Sequence, residues 1–521
     1  MRIARALVRG VRRLRGAVAD LRPGGPGRAS RRAERELTSR LLAELPADAP
    51  TTGPRVAIVI LNRNGVAHLR RLLPALESTA YSEFEILLVD NASSDGSVEY
   101  ARTFRTRHPL RVVENTENLS FSVANNSALR HTDAELLLFL NNDVRPMETH
   151  WLGWMVESVM TAGTSACGAR LVVPRRRMPR SERAGMQGDL ELQHAGIQFV
   201  SIDGMPRPRN VGGPDPLAPG LVAVQERAAA TAACLLVRRD AFVAVGGFDP
   251  AYVYGYEDVD LCLRLRAERG RILVDGRAVL WHDESSTRRR DRSTATRVQQ
   301  RENRAVLYER WGRSLFRDVL RDRLDGRRFL SAEPLSCAIV IPGGPRPEAV
   351  ALRDALARKG WAAELLVAGG IRWPGTAEVV VVADPRVDVR ELPRHVLKIA
   401  WIAEAAEAWA ATPWIDDFDV RVVAPADGSI EAVADAIETA LRSWIEARRV
   451  GILVDVDVQL ARDLEREFER RGFPTTLYFR PEWRTAVSTR EDLVIHFSEG
   501  DADRVDEILR LVDDLQPAGV V

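Results

Sequence analysis

From Val56 onward, short apolar runs alternate with segments of helical periodicity, and this alternation restricts the chain to few folds. VAIVIL (56–61), EILLVD (85–90), LRVVEN (110–115) and ELLLFL (135–140) read as strands. They are too short to span a membrane, and the most apolar of them suit burial on both faces. Between them Leu69, Leu72, Leu73 and Leu76 mark one helical face, a second helix starts near Asp95–Ser97, and a third covers Val123–Leu129. Strands alternating with helices predict an α/β fold, a parallel sheet with helices on both faces. Such sheets bind ligands at the carboxyl ends of their strands. Polar clusters stand at those ends: Asn62-Arg63-Asn64, then Asp90-Asn91, then Asn141-Asn142-Asp143.

The pattern then loosens. A helix carrying Trp151 and Trp154 leads to a strand near Cys167–Val173 and a loop rich in Arg, Pro and Gly (174–220) that contains QHAGIQFV (193–200). TAACLLVRR (231–239) is a strand, Gly246-Gly247 a tight turn, and YEDVDLCLRLRAERG (256–270) an amphipathic helix with Val259, Leu261, Cys262 and Leu265 apolar. A short strand, AVLWHDES (278–285) and an Arg-rich segment (288–304) follow, running into a helix expected to end near Trp311. From Cys337 a second α/β series begins. The boundaries read as a basic helix and linker over 1–50, a first domain over 51–325, an α/β domain over 335–449 and a shorter α/β unit over 450–521.

No GxGxxG follows the first strand and no GxxxxGK[ST] occurs, which disfavours a dinucleotide dehydrogenase and a P-loop NTPase. With 74 Lys and Arg against 73 Asp and Glu, the charge balance gives no sign of a nucleic-acid partner. Cys167, Cys234, Cys262 and Cys337 are scattered without metal spacing and read as buried thiols of a reducing compartment. The expected location is cytoplasmic. Over residues 1–20, Ile3, Leu7, Val11, Leu14 and Val18 fall near one helical face, with Arg2, Arg5, Arg9, Arg12, Arg13 and Arg15 on the rest. Such a helix suits peripheral contact with an anionic membrane, or packing on the protein itself.

VDNASSDGS (89–97), ENLSFSVANN (117–126), LFLNNDV (138–144), GGFDPAYVYGYEDVDLCLR (246–264) and WHDESST (281–287) stand in one order across residues 55–312. Together they resemble a family 2 glycosyltransferase of the GT-A fold, closest to members that transfer rhamnose or galactofuranose to bacterial surface glycans, and the resemblance implies a nucleotide-sugar-binding mixed sheet with helices on both faces. Ser120, Ala128 and Ala232 depart from the glycines usual there, which would narrow the donor pocket. The second α/β series resembles, loosely, the Rossmann-like halves of GT-B enzymes, with no donor-site acid or phosphate clamp in evidence.

The resemblance implies an inverting transfer from a nucleoside diphosphate sugar to a glycan or lipid-linked acceptor, with Mg²⁺ or Mn²⁺ on the diphosphate. Mg²⁺ commonly takes one or two protein carboxylates and fills its shell with phosphate oxygens and water. Asp143 suits that role, with Asn141 and Asn142 as neutral neighbours; on its own, Asn-Asn-Asp also reads as a strand-terminating turn. By resemblance His282 is a further metal ligand. Asp90 matches the base-reading acid, whose carboxylate would accept the pyrimidine imide N–H. Asn62, at the end of the first strand, and Asn91 are further nucleotide-sugar-binding candidates, and Asn118 and Asn126 match positions lining the nucleoside pocket. A helix cap or turn also explains Asp90, and Asp95 fits a cap better. In the pair Glu257-Asp258 the resemblance makes Asp258 the base that deprotonates the acceptor. The pair starts a helix, whose positive dipole end favours negative charge, and acids are common there for purely structural reasons. A non-catalytic sugar-binding subunit retaining the fold is the competing class. A nucleotidyltransferase would need a Gly-rich basic loop after the first strand, which LNRNGVAHLRR lacks.

Overall fold

The computed structural model describes residues 48–174, 190–202, 205–216, 218–253, 255–283, 294–368, 377–392, 396–403, 406–424 and 428–447. It also describes 450–454, 461–464, 475–478, 493–497 and a few isolated positions. The basic segment 1–20, the loop 175–189 and the serines and arginines of 285–293 lie outside the described residues. The chain divides into two compact units, Met1–Ile197 with Asn210–Asn303, and Gln198–Arg209 with Arg304–Val521.

In the first unit β1 (Val56–Asn62), β2 (Phe84–Asn91), β3 (Leu110–Asn115) and β4 (Leu136–Asn141) are parallel and lie in the order β3-β2-β1-β4. The helices between them are α1 (Val66–Glu77), α2 (Ser97–Thr103) and α3 (Phe121–Ser127). The strand order reverses between β1 and β4, and a crevice at the carboxyl ends of such a switch point is where open α/β sheets bind ligands. Register aligns the polar clusters there: Asn141 stands opposite Leu61, Asn62 opposite Asp90, and Asn91 opposite Asn115.

Beyond β4 the sheet becomes mixed, as the GT-A resemblance implies, although strand–helix alternation alone reads as parallel. β5 (Val144–Pro146) and α4 (Trp151–Val159) precede β6 (Thr164–Pro174), and β7 (Leu190–His194) pairs antiparallel with β6. β8 (Ile197–Ile202) and β9 (Met205–Asn210) form a separate two-stranded sheet. The segment 190–210, expected as loop, therefore contains three strands. After β10 (Val224–Glu226), β11 (Cys234–Arg238) runs antiparallel to both β4 and β6, making the sheet mixed. α5 (Arg239–Ala244) and α6 (Glu257–Ala267) lead to β12 (Arg271–His282), which is parallel to β6. Among the described residues the sheet has ten strands.

β12 is irregular between Asp275 and Val279. Asp275, fully buried, accepts hydrogen bonds from Arg277 N, Nε and Nη2 and from Ser158 Oγ, so the irregular stretch is fixed by a satisfied charge pair. Gly276 has no room for a side chain, because a Cβ there would lie 1.6 Å from the Leu221 carbonyl oxygen. Past this point β12 pairs antiparallel with β5, His282 opposite Val144.

Alternation along β4 divides the core. Leu136, Leu138 and Leu140 pack with Leu69, Leu72 and Leu73 of α1 and Trp151, Leu152 and Met155 of α4 on one face. Phe139, on the opposite face, meets Phe242 and Phe248 at ring-centroid distances of 5.1 and 4.8 Å. The four cysteines are buried free thiols.

The second unit contains the rest of α7 (Thr294–Leu324), which runs past Trp311 rather than ending there because Leu315, Phe316, Val319 and Leu320 keep a buried stripe. Within this unit Tyr308 Oη donates to Pro206 O at 2.7 Å and Phe199 N to Leu330 O at 2.7 Å, which ties the β8–β9 hairpin to it. β13 (Ser336–Pro342), β14 (Ala362–Ala368), β15 (Val379–Val382), β16 (Leu397–Ile402) and β17 (Val420–Val423) form a parallel sheet in the order β14-β13-β15-β16-β17. It is accompanied by α8 (Pro347–Arg358), α9 (Ala406–Ala410) and α10 (Ile430–Glu446), with Leu352, Leu356, Ile437 and Leu441 in its core. β18 (Val450–Val454), β19 (Thr475–Tyr478) and β20 (Leu493–Phe497) make a further parallel sheet, in the order β19-β18-β20. Among the described residues no helix is long and apolar enough to cross a membrane.

Candidate active site

At the switch point the amides and acids of the strand ends form one hydrogen-bonded network. Asn62, fully buried, donates from Nδ2 to Asp90 Oδ1 at 2.8 Å and accepts at Oδ1 from Asn142 Nδ2 at 2.8 Å. Gly65 passes so close that a Cβ would lie 2.3 Å from Asn142 Nδ2 and 2.4 Å from Asn62 Oδ1, so only glycine leaves this network intact. Asp90 is 1% exposed and also accepts from Ser93 N at 2.8 Å and Ser93 Oγ at 2.6 Å. Three of a carboxylate's roughly four acceptor positions are thus used within the protein. Asn91 accepts from Asn115 Nδ2 at 2.8 Å and donates to Leu119 O at 2.9 Å and to Asn118 Oδ1 at 3.4 Å. Asp95 takes the capping part, receiving Ser97 N at 3.1 Å and, across the crevice edge, Val66 N at 2.9 Å.

Asn126 stands differently from its expected place. Its Nδ2 donates to Phe248 O at 2.7 Å and its Oδ1 accepts from Phe248 N at 2.9 Å. Both ends of the amide are committed to the backbone after Gly246-Gly247, so Asn126 anchors the segment that leads into α6. Ser120, in place of a glycine, caps α3 by accepting from Val123 N.

The β5–β12 pairing brings Asp143 and His282 together, with His282 Nε2 3.4 Å from Asp143 Oδ1, and Asp283 N donates to Asp143 O at 2.9 Å. Gln193 Oε1 lies 2.6 Å from His282 Nδ1. A carbonyl oxygen can only accept, so Nδ1 carries a proton, and Nε2 is the ring nitrogen that faces Asp143. Burial pushes the Asp143 carboxyl up, but the imidazoles of His282 and His68 more than offset this and hold it below the ordinary carboxylate range. His68, on α1, is itself lowered, first by burial, against the opposing pull of Asp143. Arg71 Nη2 donates to His68 Nδ1 at 2.9 Å and pairs with Asp283 at 3.0 Å, while Trp281 Nε1 donates to Asp283 Oδ1 at 2.9 Å. His68, Arg71, Gln193 and Asp283 escaped the sequence reading. Asp283 adjoins His282 in WHDES, whereas nothing in the periodicity marks Gln193 or His68.

At the start of α6, Tyr256 has φ of 73°, the left-handed region, which turns the chain sharply into the helix. Glu257 is buried and Asp258 half-buried. Asp258 Oδ2 accepts from Ala232 N at 3.2 Å and Oδ1 from Val259 N at 2.9 Å. Asp260 is structural: it accepts from Tyr252 Oη at 3.2 Å and from Arg264 Nε at 2.8 Å.

Among the described residues no three His, Cys, Asp or Glu side chains converge on a metal position. What is present is one carboxylate and one imidazole nitrogen facing each other, a donor set suited to a cation that takes its other ligands from a substrate. Asn141 contributes its backbone N–H to Ala233 O at 3.0 Å and is half-exposed beside this pair.

The model of the family described as "Glycosyl transferase family 2" matches residues 56–199. An uncharacterized protein of Sinorhizobium fredii is 29% identical over 54% of this chain and 31% of its own length. An O-antigen biosynthesis protein of Myxococcus xanthus is 31% identical over 49% of this chain and 19% of its own length. The chain thus spans a third or less of these two relatives. An N-acetylglucosaminyl-diphospho-decaprenol L-rhamnosyltransferase of Mycobacterium tuberculosis is 31% identical over 50% of this chain, and 88% of its length is covered. With that coverage added to the family model and the mixed sheet, the chain belongs to glycosyl transferase family 2.

Proposed function

We propose that this chain is a glycosyltransferase that moves a sugar from a nucleoside diphosphate donor to a glycan or lipid-linked acceptor, with inversion and with a divalent metal ion. The observation that carries this is the Asp143–His282 pair at the switch point, its imidazole oriented by Gln193. Asp143 and His282 would hold Mg²⁺ or Mn²⁺, which when bound neutralises charge on the departing diphosphate. The low carboxyl of Asp143 keeps that ligand ionised at neutral pH.

The remaining work falls to the chain's own side chains. Asp90, Asn62, Asn91 and Asn142 form the floor against which the nucleoside rests, and the remaining acceptor position of Asp90 would receive the base N–H. Asn118 borders this floor through Asn91, and Asn141 stands beside the diphosphate. Asp258 accepts the acceptor hydroxyl's proton, its carboxylate aimed by Ala232 N–H; Glu257 supports it from the same turn. Asn126 serves indirectly, by fixing the segment that delivers α6.

Rhamnose is the favoured sugar, because a relative covered over most of its length is named an L-rhamnosyltransferase; galactofuranose is the second choice. The enzyme acts at the cytoplasmic face of the membrane, with residues 1–20 as peripheral contact, and the second unit docks or binds the acceptor. Asp258→Asn tests the assignment. It should lower transfer from dTDP-rhamnose by about 10²-fold or more, the scale of a lost general base, while nucleotide still raises the thermal midpoint. Transfer at the native rate would remove Asp258 as base. An inactive native protein that still binds nucleotide sugar would favour a non-catalytic binding subunit.

A further inference from the structure

β7 ends in Gln193 and His194, where its pairing with β6 shifts register between Leu171 and Val172. Gln193 Oε1 accepts from His282 Nδ1 at 2.6 Å. His194 is 1% exposed; its Nε2 accepts from Thr231 N at 3.3 Å, and its Nδ1 lies 3.1 Å from Asn210 Oδ1. The bond at Nε2 leaves the proton on Nδ1, so His194 donates to Asn210. The next residue is fastened as well, because Arg227 Nε donates to Ala195 O at 2.9 Å. Gln193 therefore sits on a strand end held at two successive residues, with no slack to follow a rotating imidazole.

We infer that Gln193 is a positioning residue for the metal site: it sets the tautomer and the ring orientation of His282, and His194 and Arg227 keep it in place. The inference rests on the reading of His282 as a metal ligand. The physical reason is general. An imidazole that gives its second N–H to a fixed carbonyl presents its other nitrogen as a lone pair in one direction, and loss of the fixed partner typically weakens metal binding about 10–100-fold. Without Gln193, His282 Nδ1 could give up its proton to Nε2, and a nitrogen that carries a proton cannot ligate a metal ion.

The test is Mn²⁺ binding to the full chain, followed by electron paramagnetic resonance in the presence of UDP or dTDP, whichever raises the thermal midpoint more. Gln193→Met keeps the length of the side chain and removes the acceptor; Gln193→Glu restores an acceptor at the same reach. The expected result is a Mn²⁺ dissociation constant about 10–100-fold higher for Gln193→Met, with Gln193→Glu near the native value. A generic packing defect would not give that rescue, and unchanged circular dichroism confirms that both variants fold. His282→Ala separates the two claims. If His282→Ala loses Mn²⁺ and Gln193→Met binds like the native chain, the positioning role is overturned and the metal assignment stands. If His282→Ala binds like the native chain, or the native chain takes up no Mn²⁺, the metal assignment itself falls, and the inference with it.

Discussion

Glu148 lies on the segment between β5 and α4, its side chain 3% exposed, and burial pushes its carboxyl up to about 7. Hydrogen bonds from His150 N and Trp151 N oppose the shift without cancelling it, and Asp275 adds to it. The sign follows from comparing states. Below its ordinary value of 4.5 the group is protonated whether folded or unfolded, and it contributes nothing. As pH rises to about 7 the unfolded chain releases the proton while the folded one retains it, so stability falls and then levels off. Glu148→Gln, which keeps an acceptor for the two N–H groups, should match the native chain near pH 4.5. At pH 8 it should be more stable by about 1–3 kcal/mol, measured by urea unfolding at both values. An equal difference at the two pH values would contradict the assignment. The same scale shows what a sequence carries about side chains. Asp143, Asn62 and Asn142 were legible because each stands at or just past the carboxyl end of an apolar strand. The commitment of Asn126 to Phe248 was not, because its partner lies far along the chain and the bond is to backbone.

At the scale of elements, β4 is the strand on which the site depends. It joins parallel β1 to antiparallel β11 and delivers Asn141 to Asp143 at the switch point. Leu138 is fully buried between α1 and α4, with no solvent to fill the space it would leave. Leu138→Ala should therefore cost about 2–5 kcal/mol, seen as a lower urea midpoint; a cost below about 1 kcal/mol would mean that this layer repacks freely. The first strands and helices could be read from periodicity because each makes its pattern locally. The antiparallel run of β11 and the strand pairing within 190–210 could not. CLLVR is equally apolar in either direction, and the β8–β9 residues alternate too weakly to stand out from a loop rich in Arg and Pro. The pairing of β5 with β12 was invisible for another reason: a three-residue strand has no period to detect. Yet that pairing is what brings His282 to Asp143.

For the whole molecule, composition shows an even charge balance, and alternation marks α/β series over 51–325, 335–449 and 450–521. The compact units group the chain by contacts instead, and residues 198–209 join the second through hydrogen bonds such as Tyr308 to Pro206. One acid and one imidazole form an incomplete cation site, and the account holds that the donor's diphosphate completes it. Binding of metal and nucleotide must then be coupled, and coupling is reciprocal. The decisive measurement is calorimetric titration of Mn²⁺ into the full chain, alone and saturated with nucleoside diphosphate. The account predicts weak binding alone and affinity at least about tenfold higher with nucleotide, a coupling of about 1.4 kcal/mol or more; equal affinity in both titrations would contradict it.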